Sequence, residues 1–349
     1  MKADIKSLRL EELEAAIKVL GEPQYRAAQV FTWLHQKRAL SFAEMTNLSK
    51  PLREKLEEGF VIPRVTVRRK LVSELDGTVK YLYELEDGET VEAVLMRYHH
   101  GNSLCISTQV GCRMGCSFCA STLCGCVRNL TAAEMLCEVE EAERDSGEKV
   151  SSLVLMGIGE PLDNYDNVVR FMSLLSAPDG INMSLRHVSL STCGLVPQID
   201  ELAKLRLGLT LSVSLHAPND QLRSRTMPVN RRYPIGELLD ACRRYARDTS
   251  RRISFEYALI AGENDSEANA RELAARLKGM LCHVNLIPVN PVAERGYRAS
   301  SREAVERFTR ILDQAGIAVT VRRRLGSDIN AACGQLRREN LGNNAETFG

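Results

Sequence analysis

Apolar residues recur every three or four positions near the start of the chain: Leu8, Leu10, Leu13, Ile17 and Leu20, then Tyr25, Ala28, Val30, Phe31 and Leu34. That period puts each set on one face of a helix. Gly21-Glu22-Pro23 lies between them and predicts a break, because proline cannot continue the helix hydrogen bonds. The period changes near residue 65. VTVRRKLVSEL, VKYLYELE and VEAVLMRY alternate and are separated by Asp76-Gly77 and Asp87-Gly88, pairs suited to tight hairpin turns. Three antiparallel strands are expected there. From about residue 104, short apolar runs fall at 104–108, 152–156, 187–191, 209–215, 253–259, 283–287 and 318–322, with helical stretches such as 131–144 and 300–314 between. Repeated βα units predict a parallel sheet, open or closed into a barrel.

The 349 residues suffice for one large α/β domain and a smaller appendage. No run of about 18 uncharged apolar residues occurs, so no membrane span is expected. The opening MKADIKSLRLEELEAAIKVL mixes charge with an amphipathic pattern and has no signal-peptide core; a cytoplasmic protein is expected. Forty-six basic against 45 acidic residues leave a net charge of +1, which selects no partner. The basic residues do cluster, at Arg68-Arg69-Lys70, Arg223 and Arg225, Arg231-Arg232, Arg251-Arg252 and Arg322-Arg323-Arg324. They are solvated faces or, if several line one mouth, a nucleic-acid footprint. Eleven cysteines, an odd number, point away from a disulfide framework and towards reduced thiols, metal binding or catalysis.

In parallel α/β folds, chemistry collects in the loops after the strands. The unusual residues of this chain fall there. Cys112, Cys116 and Cys119, spaced C-x3-C-x2-C, follow the first run; Gly157-Ile158-Gly159-Glu160-Pro161 follows the second; Ser191-Thr192-Cys193-Gly194 ends the third; Ser214 to Asp220 ends the fourth. Asn290-Pro291 follows the sixth run, and Ala332-Cys333-Gly334-Gln335 follows the seventh. Leu162 stands where a dinucleotide fingerprint needs its third glycine, so GIG is not that motif. The three thiols have two functional readings. With Cys124 or Cys126 they would close a structural zinc site. Alternatively they hold a four-iron, four-sulfur (4Fe-4S) cluster at three irons, leaving one iron open to a small chelating molecule.

C-x3-C-x2-C after the first βα strand resembles the radical S-adenosylmethionine superfamily. GIGEPLDN, RNLT (128–131), STCGLVP, SLHAPND, MPVN (227–230), NLIPVNP and INAACGQL together resemble the RlmN/Cfr family of RNA adenosine methyltransferases over nearly the whole chain. GEPL, in place of GEAL, resembles the branch that methylates adenine C2 rather than C8. The resemblance implies a partial (β/α)6 radical-SAM barrel over 104–340. It also implies a helical RNA-binding accessory domain over 1–62, an antiparallel β extension over 63–103 and a polar tail over 341–349.

By the same resemblance, Cys112, Cys116 and Cys119 hold one 4Fe-4S cluster. Gly159, Glu160, Ser191, Ser214, Leu215, His216 and Asn290 contact S-adenosylmethionine, two molecules of which are used per turnover. Cys333 accepts a methyl group from one of them. A radical made from the other removes hydrogen from that methyl, and the resulting carbon adds to adenine. Glu92 accepts the proton from the adenine carbon, and Cys105 forms a disulfide with Cys333 that frees the product. Substrates would be an adenosine in the peptidyl-transferase centre of 23S rRNA and one beside the anticodon in certain tRNAs. A monomer is expected, with an external electron donor such as flavodoxin or ferredoxin. Without the resemblance, Glu92 reads as a solvent-facing strand residue, Cys105 and Cys333 as buried apolar thiols, and His216 as a structural histidine.

Overall fold

The computed structural model describes residues 2–289, 296–323, 325–329 and 336–337. The expected tail, 341–349, lies outside them. Three helices open the chain: α1 (Leu10–Val19), α2 (Arg26–His35) and α3 (Lys50–Gly59). In α2 the buried face is Ala27, Val30, Phe31 and Leu34, whereas Tyr25 and Ala28 face solvent. The helix begins at Arg26, and an i, i+3, i+4, i+7 stripe from Ala27 excludes its neighbour Ala28. The expected apolar face was one residue out at its start.

Ten strands form one sheet in chain order: β1 (Thr66–Val72), β2 (Val79–Glu84), β3 (Thr90–Tyr98), β4 (Gly101–Cys105), β5 (Val150–Leu155), β6 (Val188–Thr192), β7 (Thr210–Ser214), β8 (Ile253–Leu259), β9 (Cys282–Pro288) and β10 (Ala318–Val321). Strands β1 to β4 pair antiparallel, and β4 to β10 pair parallel. Asp-Gly pairs turn both expected hairpins, with Gly77 and Gly88 at φ of 70° and 84°, which favours glycine. The antiparallel extension and the βα units therefore share β4.

Each parallel crossover carries a helix: α4 (Ala132–Ser146), α5 (Tyr165–Ser176), α6 (Val196–Lys204), α7 (Asp220–Thr226) with α8 (Ile235–Thr249), α9 (Glu267–Leu277) and α10 (Arg302–Gln314). Six βα units plus the closing β10 give the α/β architecture that the apolar runs predict. Residues near the N-terminus dock on α4 and α5. The Ala133 amide donates to Ser7 Oγ (3.0 Å), Lys6 Nζ meets Glu140 Oε2 (2.5 Å), and Arg170 pairs with Glu12. One apolar core runs from Ile5 and Leu13 through the sheet to Phe308. Strand β2 is buried on both faces, with Tyr81 and Tyr83 stacked at 5.3 Å and the Tyr81 hydroxyl donating to Asp145 (2.7 Å).

Candidate active site

The loop after β4 carries the three thiols and is tied at both ends. Gln109–Gly111 pairs antiparallel with Cys126–Asn129, and the Cys112 amide donates to Gly125 O (2.8 Å). Gly111, at φ 84°, has the carbonyl of Gly125 where a side chain would begin, so no other residue fits. Thr122 Oγ1 donates to the carbonyls of Cys116 (3.1 Å) and Cys119 (2.9 Å), and the Ser117 amide donates to Thr226 O on α7 (2.8 Å). These bonds turn Cys112, Cys116 and Cys119 into a cleft of about 280 Å3 at the carboxyl ends of the parallel strands.

Gly159, Glu160, Ser191, Ser214 and His216 line the same cleft. Residues spread over more than a hundred positions thus meet, because each ends a neighbouring strand. Glu160 is buried: its Oε2 accepts from the Cys193 amide (2.7 Å) and its Oε1 from the Leu162 amide (3.1 Å), while burial pushes its carboxyl above the usual range. Gly159 sits at φ 111° with Gln109 and Thr108 against its Cα; its missing side chain makes room for the chain's own loop. His216 holds a left-handed φ of 57°, uncommon outside glycine. Its carbonyl accepts from Asn264 Nδ2 (2.7 Å) and its Nδ1 accepts from the Ala258 amide (2.9 Å). The ring proton therefore sits on Nε2. Burial, helped by Arg223, lowers the His216 pKa to about 3, so the imidazole is neutral. It is structural and cleft-lining at once, with its ring 4.8 Å from that of Phe118.

Other expected residues lie elsewhere. Leu215 is fully buried behind the cleft, its amide donating to Glu256 O (3.0 Å). Asn290 and Cys333 are outside the described residues. Cys105 ends β4, opposite Val94 of β3, and packs with Val94, Met96, Val154, Met156 and Leu325. Glu92 lies two residues from Val94 and so shares that sheet face. It is 2% exposed, which overturns its reading as a solvent-facing strand residue. Its Oε2 meets Lys80 Nζ at 3.1 Å and its Oε1 accepts from the Arg337 amide at 2.6 Å. Leu325 and Arg337, on either side of Cys333 in sequence, both reach this face, and Arg337 Nε also donates to Thr90 O (2.8 Å).

Sequence reasoning passed over Glu256 and gave Cys193 and Arg322 no site role, yet all three line the cleft. Glu256 accepts from Asn285 Nδ2 (2.7 Å) and Ser254 Oγ (3.0 Å), and burial pushes its carboxyl up. The signal was present: one carboxylate inside the apolar run ISFEYAL must be buried and hydrogen-bonded. Arg223 also differs from expectation. It belongs to no basic surface, being fully buried.

The donor set decides which metal group fits. Burial, with Cys119 and Glu160 nearby, pushes the Cys112 thiol up to about 12, and burial with both partner thiols pushes Cys116 up. Thiols crowded in this way ionise together only beside a strong positive charge. Cys124 is exposed and Cys126 half-buried, and neither lines the cleft. Among the described residues no three His, Cys, Asp or Glu side chains gather around one point, as a single zinc ion requires. A 4Fe-4S cluster takes each thiolate on a separate iron, and three thiols spread around one cleft fit it.

Known proteins resemble this chain in sequence and fold. The radical SAM superfamily model matches residues 106–274, and the model described as ribosomal RNA large subunit methyltransferase N-terminal domain matches residues 3–62. A protein of Alkaliphilus oremlandii (strain OhILAs), named probable dual-specificity RNA methyltransferase RlmN, is 54% identical over 342 residues, 98% of this chain and 99% of its own. One of the same name from Pelotomaculum thermopropionicum is 55% identical over 339 residues, 97% of this chain and 92% of its own. The crystal structure of a radical SAM methyltransferase from Sphaerobacter thermophilus superposes with a TM-score of 0.90 at 46% identity, covering 95% of this chain and 98% of that one.

Proposed function

Because this chain belongs to the RlmN family of radical SAM RNA methyltransferases, we propose that it methylates C2 of one adenosine in the peptidyl-transferase centre of 23S rRNA and of the adenosine beside the anticodon in certain tRNAs. The observation that carries this reading is the adjacency of the thiol-lined cleft and the buried face holding Glu92 and Cys105, with Met156 common to both.

Cys112, Cys116 and Cys119 would hold the 4Fe-4S cluster, and Gly159, Glu160, Ser191, Ser214, Leu215, His216 and Asn290 would hold S-adenosylmethionine. Bound there, these groups supply one-electron chemistry able to abstract hydrogen, which belongs to the cofactors rather than the protein. The protein's residues do the rest. Glu160 presents a carboxylate to the ammonium of the ligand, and His216, neutral, offers an Nε2 proton. Cys333 accepts a methyl from one S-adenosylmethionine and, as its methyl thioether, loses hydrogen at the expense of a second. Its carbon then joins adenine C2, an electron-poor amidine carbon unsuited to polar methylation. As the adduct gives up one electron to the one-electron couple those cofactors would supply, Glu92 takes the C2 proton. The Cys105 thiolate then attacks the Cys333 sulfur, the carbon–sulfur bond breaks, and the freed carbon takes up a proton, leaving the methylated base and a Cys105–Cys333 disulfide.

Residues 1–62 are assigned to RNA binding, 63–103 to the antiparallel extension, 104–340 to the catalytic core and 341–349 to a tail. RNA would be gripped through phosphates and shape, with the adenine drawn out of its stack. We place the enzyme in the cytoplasm as a monomer served by flavodoxin or ferredoxin; no described helix is long and apolar enough to cross a membrane. The test is an anaerobic reaction with RNA, followed by digestion and mass spectrometry against authentic isomers. 2-Methyladenosine is expected, whereas 8-methyladenosine would overturn the C2 assignment. In parallel, Cys105→Ala should trap an RNA-linked protein on a denaturing gel and Cys333→Ala should not. Normal turnover by Cys333→Ala would sink the covalent route.

A further inference from the structure

Arg223, on α7, has none of its surface exposed. Its Nε donates to Leu215 O (3.1 Å), Nη1 to Asn230 Oδ1 (3.0 Å), and Nη2 to the carbonyls of Cys193 (2.6 Å) and Ser214 (3.1 Å). Every one of these partners is neutral. Asp220, one turn earlier, spends its Oδ1 on Asn230 Nδ2 (2.9 Å) and the Ile235 amide (2.7 Å). Asp220 thus reaches the guanidinium only through Asn230. It and the carbonyl dipoles offset part of the cost of burying this charge, and a further anion close by would offset more.

The surroundings say where it would lie. Cys193 and Ser214, whose carbonyls Arg223 holds, both line the cleft. Cys193 packs with Cys116 and Met227 in its wall, and the Met227 amide donates to Arg223 O (2.8 Å). The Ser117 amide, inside the thiol loop, bonds Thr226 O of the same helix (2.8 Å). The guanidinium thus stands directly behind the wall that carries the thiols. Three thiolates on a doubly positive 4Fe-4S core leave one net negative charge, and reduction adds a second. We propose that Arg223 is a fixed counter-charge for the cluster held by Cys112, Cys116 and Cys119, easing its reduction. The proposal rests on the reading of those thiols as cluster ligands, and it makes Arg223 a positioning residue rather than a catalytic one. Cluster potentials are set in part by nearby charge and hydrogen bonding, and a cation at this depth is poorly screened.

The experiment is a potentiometric titration, read by electron paramagnetic resonance, of anaerobically reconstituted holoenzyme without RNA. If the unmodified protein fails to take up iron and sulfide, the cluster reading itself falls, and the proposal with it. Given a cluster, Arg223→Gln should lower the reduced-to-oxidised ratio at fixed potential about tenfold, a shift of about 59 mV for one electron. Arg223→Lys keeps the charge and should stay within about threefold of the unmodified ratio. Assembly in the lysine variant but not the glutamine variant would also support the charge. An unmoved potential in Arg223→Gln, or an equal displacement in Arg223→Lys, overturns the proposal. So does failure of both variants to assemble a cluster, because the hydrogen-bond fork and not the charge would then be what the loop needs.

Discussion

Cys112, Cys116 and Cys119 hang from a loop beyond the end of β4, whereas Glu92 and Cys105 lie inside paired strands of the same sheet. The loop thiols are placed by a few backbone bonds, among them Cys112 N to Gly125 O and Ser117 N to Thr226 O. Such a loop can settle around a group brought in from outside. Cys105 has no such latitude: it sits opposite Val94 and beside Val154 in fixed register, and a slip of one residue would turn it to the other face. The arrangement suits the separate tasks proposed for them. An exchangeable cofactor needs an open, adaptable rim. Two side chains proposed to act with a third, Cys333, are served by positions held by the sheet.

The largest effect should come from the rim. Cys112→Ala, Cys116→Ala or Cys119→Ala should each reduce iron and sulfide to background in anaerobically purified protein. Cys124→Ala and Cys126→Ala should leave both near the unmodified level, since neither thiol lines the cleft. Full iron content in any triad variant would break the contrast between adaptable rim and fixed face.

A smaller but still large effect is expected on the face. Lys80 and Glu92 form an ion pair with both side chains 1–2% exposed, and removing one member of such a pair costs about 3–5 kcal/mol. Lys80→Met should therefore lower the urea midpoint strongly, and Lys80→Met with Glu92→Leu should recover part of the loss. A midpoint unchanged in Lys80→Met would show that the face is not held by this pair.

The smallest effect belongs to the exposed charges beyond the rim. Arg231 and Arg232 follow the cleft residue Met227 and are exposed. Arg68 is committed to Glu84 and Lys70 to Asp145. Substituting Arg231 and Arg232 by glutamine should weaken RNA binding and reduce its logarithmic salt slope by about one per lost phosphate contact. Arg68→Gln should change the slope less. Equal, unchanged slopes would assign both clusters to solvent.

Local pattern carried much of this protein. Alternation and apolar runs were enough for the ten strands, because period and turn chemistry depend on neighbours in the chain: Asp76-Gly77 and Asp87-Gly88 turn where expected. Thiol spacing was enough to single out Cys112, Cys116 and Cys119, and the family resemblance carried by the motifs nominated Gly159, Glu160, Ser191, Ser214 and His216; all of them line one cleft. Burial and electrostatics were different. Glu92 looked solvent-facing because alternation assumes one wet face, yet β3 is covered on both sides through most of its length. Arg223 looked like part of a basic cluster because charge in a sequence carries no depth, and only the packing of α7 against β7 residues and the thiol loop shows it buried. Glu256 and Leu215 traded expectation in the same way, one entering the cleft and the other sealed behind it. A residue's neighbours along the chain fix its period, but its dielectric surroundings come from elements far away in sequence, and those meet only when the sheet is assembled.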